Sequence, residues 1–87
     1  EALQISAIQS RSEYLYALDS YETAVENLDI AISIRDKTRI KYEEGLASSF
    51  ELNEIESQFL EAQSQRIGSS IALMNALTQL RKAFNQL

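Results

Sequence analysis

The 87-residue chain contains no proline, cysteine, histidine or tryptophan, and only two glycines. Without cysteine there is no disulfide framework and no thiolate site, and without histidine the usual zinc, haem and di-iron ligand sets are excluded. Proline and glycine are the residues that most often interrupt regular structure, so a chain this poor in them makes few turns. Long helices are therefore predicted.

Charge and hydropathy argue against further classes of protein. The net charge of −5 disfavours a nucleic-acid surface, which needs clustered lysine and arginine. No apolar run approaches the ~20 residues that span a bilayer, so no direct membrane span is predicted in this chain. The first six residues, EALQIS, do not form a signal peptide, so an exported parent protein would contain this chain as an internal piece.

Both halves of the chain repeat every seven residues. In each half a mainly large series is followed, three residues later, by a mostly small series. The large series comprises Ala7, Tyr14, Tyr21, Leu28, Arg35 and Tyr42, then Leu52, Phe59, Arg66, Leu73, Leu80 and Leu87. The small series comprises Ser10, Ala17, Ala24, Ala31 and Thr38, then Ile55, Ala62, Ser69, Ala76 and Ala83. These are the seam positions of a coiled coil, and antiparallel packing can place large layers on small ones, although the repeat leaves the exact register open.

The signals that end one helix and begin the next lie between the halves. Gly45 suits the left-handed position that ends a helix. Ser48 and Glu51 form a capping box, in which the hydroxyl accepts from the Glu51 backbone N–H and the Glu51 carboxylate reaches back. Leu46 is expected to pack against Leu52 or a neighbour. The predicted fold is all-α: one hairpin of two long antiparallel helices at about 2–44 and 48–86, joined by a turn at 45–48.

The apolar surface is wider than one seam requires. Residues flanking the seam are Leu18, Val25 and Ile32 in the first helix and Leu60, Ile67, Met74, Leu77 and Phe84 in the second. Their regular spacing favours further helical neighbours over the alternative of scattered exposed side chains. Gly68, inside the second helix, indicates either close backbone packing or a soft point, meaning a locally less stable turn of the helix.

Charged residues cluster around the turn. Six acids lie there: Glu43, Glu44, Glu51, Glu54, Glu56 and Glu61. Complementarity to the helix dipoles explains part of this cluster, and a functional acidic tip is the alternative, with Glu54 and Glu61 on one face. Arg35 and Arg66 interrupt the large series, either to meet acids on a partner or to reach out from the seam edge and specify register.

No enzyme is predicted. Glu51 and Glu54 could in principle act as an acid–base pair. They would need a cleft to shift their pKa values, and a bare hairpin is expected to offer none. The glycines lie too far apart for a phosphate loop, and the serines have no base partner. We therefore expect no catalytic residue, no cofactor and no metal site.

A series of short motifs in a fixed order adds a family resemblance. These are Asn27-Leu-Asp-Ile-Ala31, Thr38-Arg-Ile-Lys-Tyr-Glu-Glu-Gly-Leu-Ala-Ser48, Glu51-Leu52, Leu60-Glu-Ala-Gln63 and Leu80-Arg-Lys-Ala-Phe84. In this order and spacing the chain, from about residue 20 onward, resembles the TolC (outer membrane efflux protein) family. The closing motif is similar to that of the second, C-terminal hairpin of the two in each protomer. The chain departs from the family's pattern in three places, at Glu44, at Ala47 and at the closing pair Phe84-Asn85.

The resemblance implies a function and a location. In that family three protomers build an outer-membrane channel with a long α-helical barrel in the periplasm of the Gram-negative envelope, and hairpin tips dock a periplasmic adaptor protein. The adaptor-binding tip would comprise Gly45, Leu46, Ala47 and Ser48, and the residues lining the tunnel entrance would be Tyr42, Glu51 and Glu54. The implied partners are adaptor hairpins and the neighbouring hairpins of the same trimer. This chain would be a fragment, since it has no strands for the membrane barrel.

The alternative function is a structural coiled-coil hairpin that acts as a scaffold or protein-interaction module. Such a module would explain the heptads and the wide apolar surface. It gives no reason for the spacing of Tyr42, Gly45 and Ser48 at the turn.

Overall fold

A computed structural model describes residues 2–85 and shows two helices packed against each other as an antiparallel hairpin. Helix α1 spans Ala2–Glu43 and helix α2 spans Ser49–Asn85. The all-α hairpin predicted from the sequence is confirmed. The helix ends that meet at the turn lie one residue from the expected positions, and residue 86 lies outside the described residues. The hairpin is 65 Å long, as 42 helical residues at about 1.5 Å each require.

Both seven-residue series face the opposite helix. Every described member of the two series is buried or half-buried except Tyr42, which is exposed, while Leu87 lies outside the described residues. The buried side chains are all alanines, namely Ala7, Ala17, Ala24 and Ala83, and among the described residues none is completely enclosed. The core is therefore a narrow strip, and most of the apolar surface stays outside it.

The register of the two helices differs from the expected packing of large layers on small ones. The Arg35 guanidinium lies over the Phe59 ring, 4.1 Å from its centroid, and both residues belong to the large series. The helices run in opposite directions and both series repeat every seven residues. This contact therefore places large residues opposite large ones along the seam, with Leu28 opposite Arg66. The layers between them pair small residues, and three of their alanines are among the most deeply buried side chains. Small side chains in these layers permit a close approach of the two backbones.

Gly68 lies on the exposed surface of α2. A Cβ placed on it would meet no atom within 4 Å. Close backbone packing therefore does not explain this glycine, and the interpretation as a soft point in the helix remains. Within residues 2–85 neither helix contains a stretch that is both long enough and apolar enough to cross a membrane.

Candidate functional site

The turn at the tip of the hairpin has a defined backbone geometry. Gly45 has a φ of +78°, the left-handed conformation expected of it. The Leu46 N–H donates to the Lys41 carbonyl at 2.7 Å, and the Gly45 N–H donates to the Tyr42 carbonyl at 3.1 Å. These two bonds form a Schellman motif, which satisfies the last carbonyls of α1. The turn is thus held by the backbone itself.

Ser48 caps the start of α2. Its hydroxyl accepts a hydrogen bond from the Glu51 backbone N–H at 3.1 Å, as predicted. The return bond of a capping box is not formed among the residues that the structure describes, because no hydrogen bond joins the Glu51 carboxylate to the Ser48 N–H. The Glu51 side chain is exposed and remains available for other contacts.

Leu46 points outward at the tip. Its side chain is 72% exposed, so the expected packing against Leu52 does not enclose it. Ala47, the residue directly before the cap, is half-buried, and Ser48 is exposed. Phe50, to which the sequence patterns assigned no role, is 70% exposed in the first turn of α2. Its position outside the seven-residue seam was the signal that could have identified it. The tip therefore presents two large apolar side chains to solvent.

The three predicted entrance residues lie beside the tip. Tyr42 is in the last turn of α1, and Glu51 and Glu54 are one turn apart at the start of α2. All three side chains are exposed. An open depression of about 270 Å³ on the outer surface of α2 is lined by Phe50, Asn53, Glu54, Ser57, Gln58 and Glu61. Within residues 2–85 no three acidic side chains come together in an arrangement able to hold a metal ion.

Above the tip two arginines of α1 bind side chains of α2. Arg39 donates from Nε to the Glu56 carboxylate at 2.7 Å. This hydrogen bond, together with the attraction between the opposite charges, raises the pKa of Arg39 above its ordinary value. Arg35 stacks on Phe59 and also contacts Asp36 at 3.3 Å. Both contacts of Arg35 lie within the hairpin, as expected of an arginine at the edge of the seam.

The position of Arg39 and Glu56 identifies one flank of the seam. Arg39 and Glu56 each lie four residues after a member of the large series. Residues at the same position of the repeat lie on this same flank: Leu18, Val25 and Ile32 of α1, and Leu77 and Phe84 of α2. Leu60, Ile67 and Met74 of α2 each lie one residue after a member of the large series. They are adjacent to this flank, on its side away from the seam. We call this surface the apolar side face. Its residues are Leu18, Val25, Ile32, Leu60, Ile67, Met74, Leu77 and Phe84.

The opposite flank of the hairpin is more polar and is grooved. An open groove of about 600 Å³ is lined mainly by small and polar residues, including Ser20, Thr23, Asn27, Gln65, Gly68 and Ser69. A second depression of about 210 Å³ continues it toward the tip, beside Ile30 and Ile34. The two flanks thus differ in character: the apolar side face is the broader unpartnered apolar surface.

Comparison with known proteins finds no matching protein-family model, no matching curated protein and no matching solved structure. The likeness to the TolC family therefore rests on the motifs of the sequence.

Proposed function

We propose that this chain is a periplasmic hairpin of a trimeric outer-membrane efflux channel of the TolC type. Its tip, from Gly45 to Ser48, docks the hairpins of a periplasmic adaptor protein. Tyr42, Glu51 and Glu54 line the tunnel entrance, and neighbouring hairpins of the same trimer cover the shaft. The chain is then the periplasmic portion of an outer-membrane protein and acts by packing and docking, with energy supplied by other components.

The observation that carries this proposal is the exposed Leu46 on a turn of fixed geometry. Backbone hydrogen bonds at Gly45 and Leu46 hold the turn, and the Leu46 side chain is directed to solvent rather than into the hairpin. A large apolar side chain on an ordered turn suits insertion into a partner's surface, since little conformational entropy is lost on binding. Ser48 caps the start of α2, and Phe50 in the first turn of that helix is a second exposed apolar side chain at the tip.

The acids near the tip suit a narrow cation-favouring entrance. Glu51 and Glu54 are both exposed and one helical turn apart. Threefold symmetry would repeat each carboxylate three times around an axis, and a ring of like charge concentrates cations and repels anions. Tyr42, also exposed, would supply a large side chain to narrow the same opening.

Substitution of Leu46 by serine tests the docking tip. In the full-length channel protein we expect Leu46→Ser to reduce site-specific crosslinking to the adaptor by about 10-fold, the loss of ~1.4 kcal/mol that removal of a buried apolar contact produces. Efflux should fall with it. Ile8→Ser makes a similar change at the other end of the hairpin, where Ile8 is 69% exposed, and should leave crosslinking unchanged. Normal crosslinking and efflux with Leu46→Ser would refute the docking role.

Neutralisation of Glu51 and Glu54 tests their proposed role at the tunnel entrance. In the full-length channel, the double variant Glu51→Gln with Glu54→Gln should lower the ratio of cation to anion permeability measured across a planar lipid bilayer, because three copies of each charge are lost. Glu13→Gln, an exposed acid near the open end of the hairpin, is the matched control and should not alter selectivity. An unchanged ratio in the double variant would remove Glu51 and Glu54 from the entrance.

The second candidate function is a scaffold hairpin, favoured by the apolar side face. A scaffold needs surfaces for other helices and uses the shaft rather than the tip. In that case Leu46→Ser would have no effect on partner binding, whereas Ile67→Glu, in the middle of the apolar side face, would abolish it. The two variants therefore distinguish the candidate functions.

A further inference from the structure

The apolar side face has no cover within the hairpin. Leu60, Ile67, Met74 and Phe84 on this face are each about half exposed or more. The buried side chains in the part of the chain that the structure describes are alanines, so the core of the hairpin contributes little apolar burial. A further helix along this face would add the burial that the seam does not supply.

A stripe of acids runs along α1 beside this face. Residues 12–34 of α1 contain five acids and no base. Four of these acids recur at intervals of three and four residues, which places them on one side of the helix: Asp19, Glu22, Glu26 and Asp29. We call them the acidic stripe. All four are exposed, and within residues 2–85 none of them forms an ion pair or a side-chain hydrogen bond.

Two members of the acidic stripe form the α1 edge of the apolar side face. Glu22 and Asp29 each lie one residue after a member of the large series, the position of the repeat that Ile67 and Met74 occupy on α2. Because the two helices pack through the same series, these positions lie on the two outer edges of one flank. The face is therefore apolar along α2 and acidic along α1, with Val25 between the two edges.

We propose that the helix covering the apolar side face carries an apolar stripe and, on the edge that faces α1, lysine or arginine. Specific interfaces combine an apolar centre with a polar rim at which opposite charges meet. Bases on that edge would be attracted to the acidic stripe, whereas acids there would be repelled by it. The helix belongs to a neighbouring hairpin of the channel, so its source rests on the proposed function.

The neighbouring hairpin that carries this helix is not a copy of the present chain. In a tip-aligned channel equivalent residues of two copies lie at the same height, and the acidic stripe lies near the middle of the shaft. Four bases lie nearer the tip, within residues 35–41, and three lie at the open end: Arg11, Arg81 and Lys82. Arg66, the remaining base, is half-buried in the seam and among the described residues forms no ion pair with the stripe. A copy therefore offers no exposed base at this height, and the neighbour has a different sequence.

Three synthetic helical peptides of about 21 residues, all with the same stripe of leucines, test the charge of the edge. The first carries lysines on one edge of the leucine stripe, the second carries glutamates at the same positions, and the third carries the lysines on the side opposite the leucines. We expect the 87-residue chain to bind the first peptide about 10-fold more tightly than the second, because the edge charges attract in one case and repel in the other. It should bind the first about 5-fold more tightly than the third, which has the same composition and measures general attraction to an acidic chain. Fluorescence anisotropy gives the three dissociation constants.

Reversal of charge on the chain provides the matching test. Glu22→Lys with Asp29→Lys should make the glutamate peptide bind more tightly than the first peptide, because its acids then face lysines. Glu13→Lys with Glu61→Lys changes the total charge equally at exposed acids away from the face, and the first peptide should remain the tighter ligand. All four substituted side chains are exposed, so circular dichroism should show an unchanged helix content.

Substitution on the apolar side face tests where the helix lies. Ile67→Glu should weaken the binding of the first peptide by about 10-fold, whereas Ile30→Glu on the grooved flank, where Ile30 is 57% exposed, should leave it unchanged. No binding of the first peptide at about 100 μM, equal affinity for the first and third peptides, equal effects of the two isoleucine variants, or an unaltered preference after charge reversal would each overturn the proposal.

These measurements separate the covering helix from the docking tip. The Leu46→Ser variant is altered at the tip and should bind the first peptide as the unsubstituted chain does. Failure of the peptide tests therefore leaves the docking role of Leu46 standing. If the peptide tests succeed and the docking test fails, the composition of the covering helix stands and its assignment to a channel is wrong.

Discussion

Gly45 is the residue on which the reversal of the chain depends, because its φ of +78° directs the chain out of α1. An L side chain is disfavoured in this conformation whatever space surrounds it. Leu46 follows directly and is left exposed as a result of the same turn. One residue thus determines both the end of the helix and the outward presentation of the proposed docking side chain.

Alanine substitution of the two glycines should have opposite effects. Gly45→Ala is expected to lower the free energy of unfolding by about 1–2 kcal/mol, the cost of left-handed backbone for an L residue. Gly68→Ala is expected to raise it by about 1 kcal/mol, because Gly68 lies in a helix interior and an added Cβ meets no atom within 4 Å. Urea unfolding followed by circular dichroism measures both at one chain concentration. Two changes of the same sign would contradict these assignments.

At the scale of the helices, the seam is organised by the alternation of large and small layers. Arg35 on Phe59 shows a layer in which both helices contribute a large residue. Alanines such as Ala24 are buried in the layers between. Because the backbones approach closely only where the side chains are small, the alanines determine the spacing of the two helices.

Enlarging one small layer should therefore separate the helices. Ala17→Leu is expected to lower the free energy of unfolding by about 1–3 kcal/mol, since Ala17 is buried in a small layer between α1 and α2 and a larger side chain there overpacks it. Ala72→Leu is the matched control: Ala72 is exposed beside the groove and the change should be nearly neutral. Thermal unfolding at a common chain concentration gives both values, since any self-association would raise apparent stability. Equal losses in the two variants would show that the small layers do not determine the spacing.

At the scale of the whole molecule, the hairpin is a long rod with unlike ends and unlike flanks. One end carries the turn and most of the acids, and one flank carries the apolar side face. The proposed docking uses the tip, and in the proposed channel neighbouring hairpins cover the flank.

The sequence by itself determined the two helices, the turn and the seam. The near absence of breakers, the left-handed glycine and the seven-residue repeat act over short range, so they could be interpreted without knowledge of any long-range contact. The tertiary structure alone decided the register that pairs large with large, the incomplete capping box at Ser48, the exposure of Leu46 and Phe50, and the gathering of the apolar flank on one side. These features depend on where two helices meet in space. Each helix satisfies its own backbone hydrogen bonds, so only the contact between the helices selects among the registers that the repeat allows.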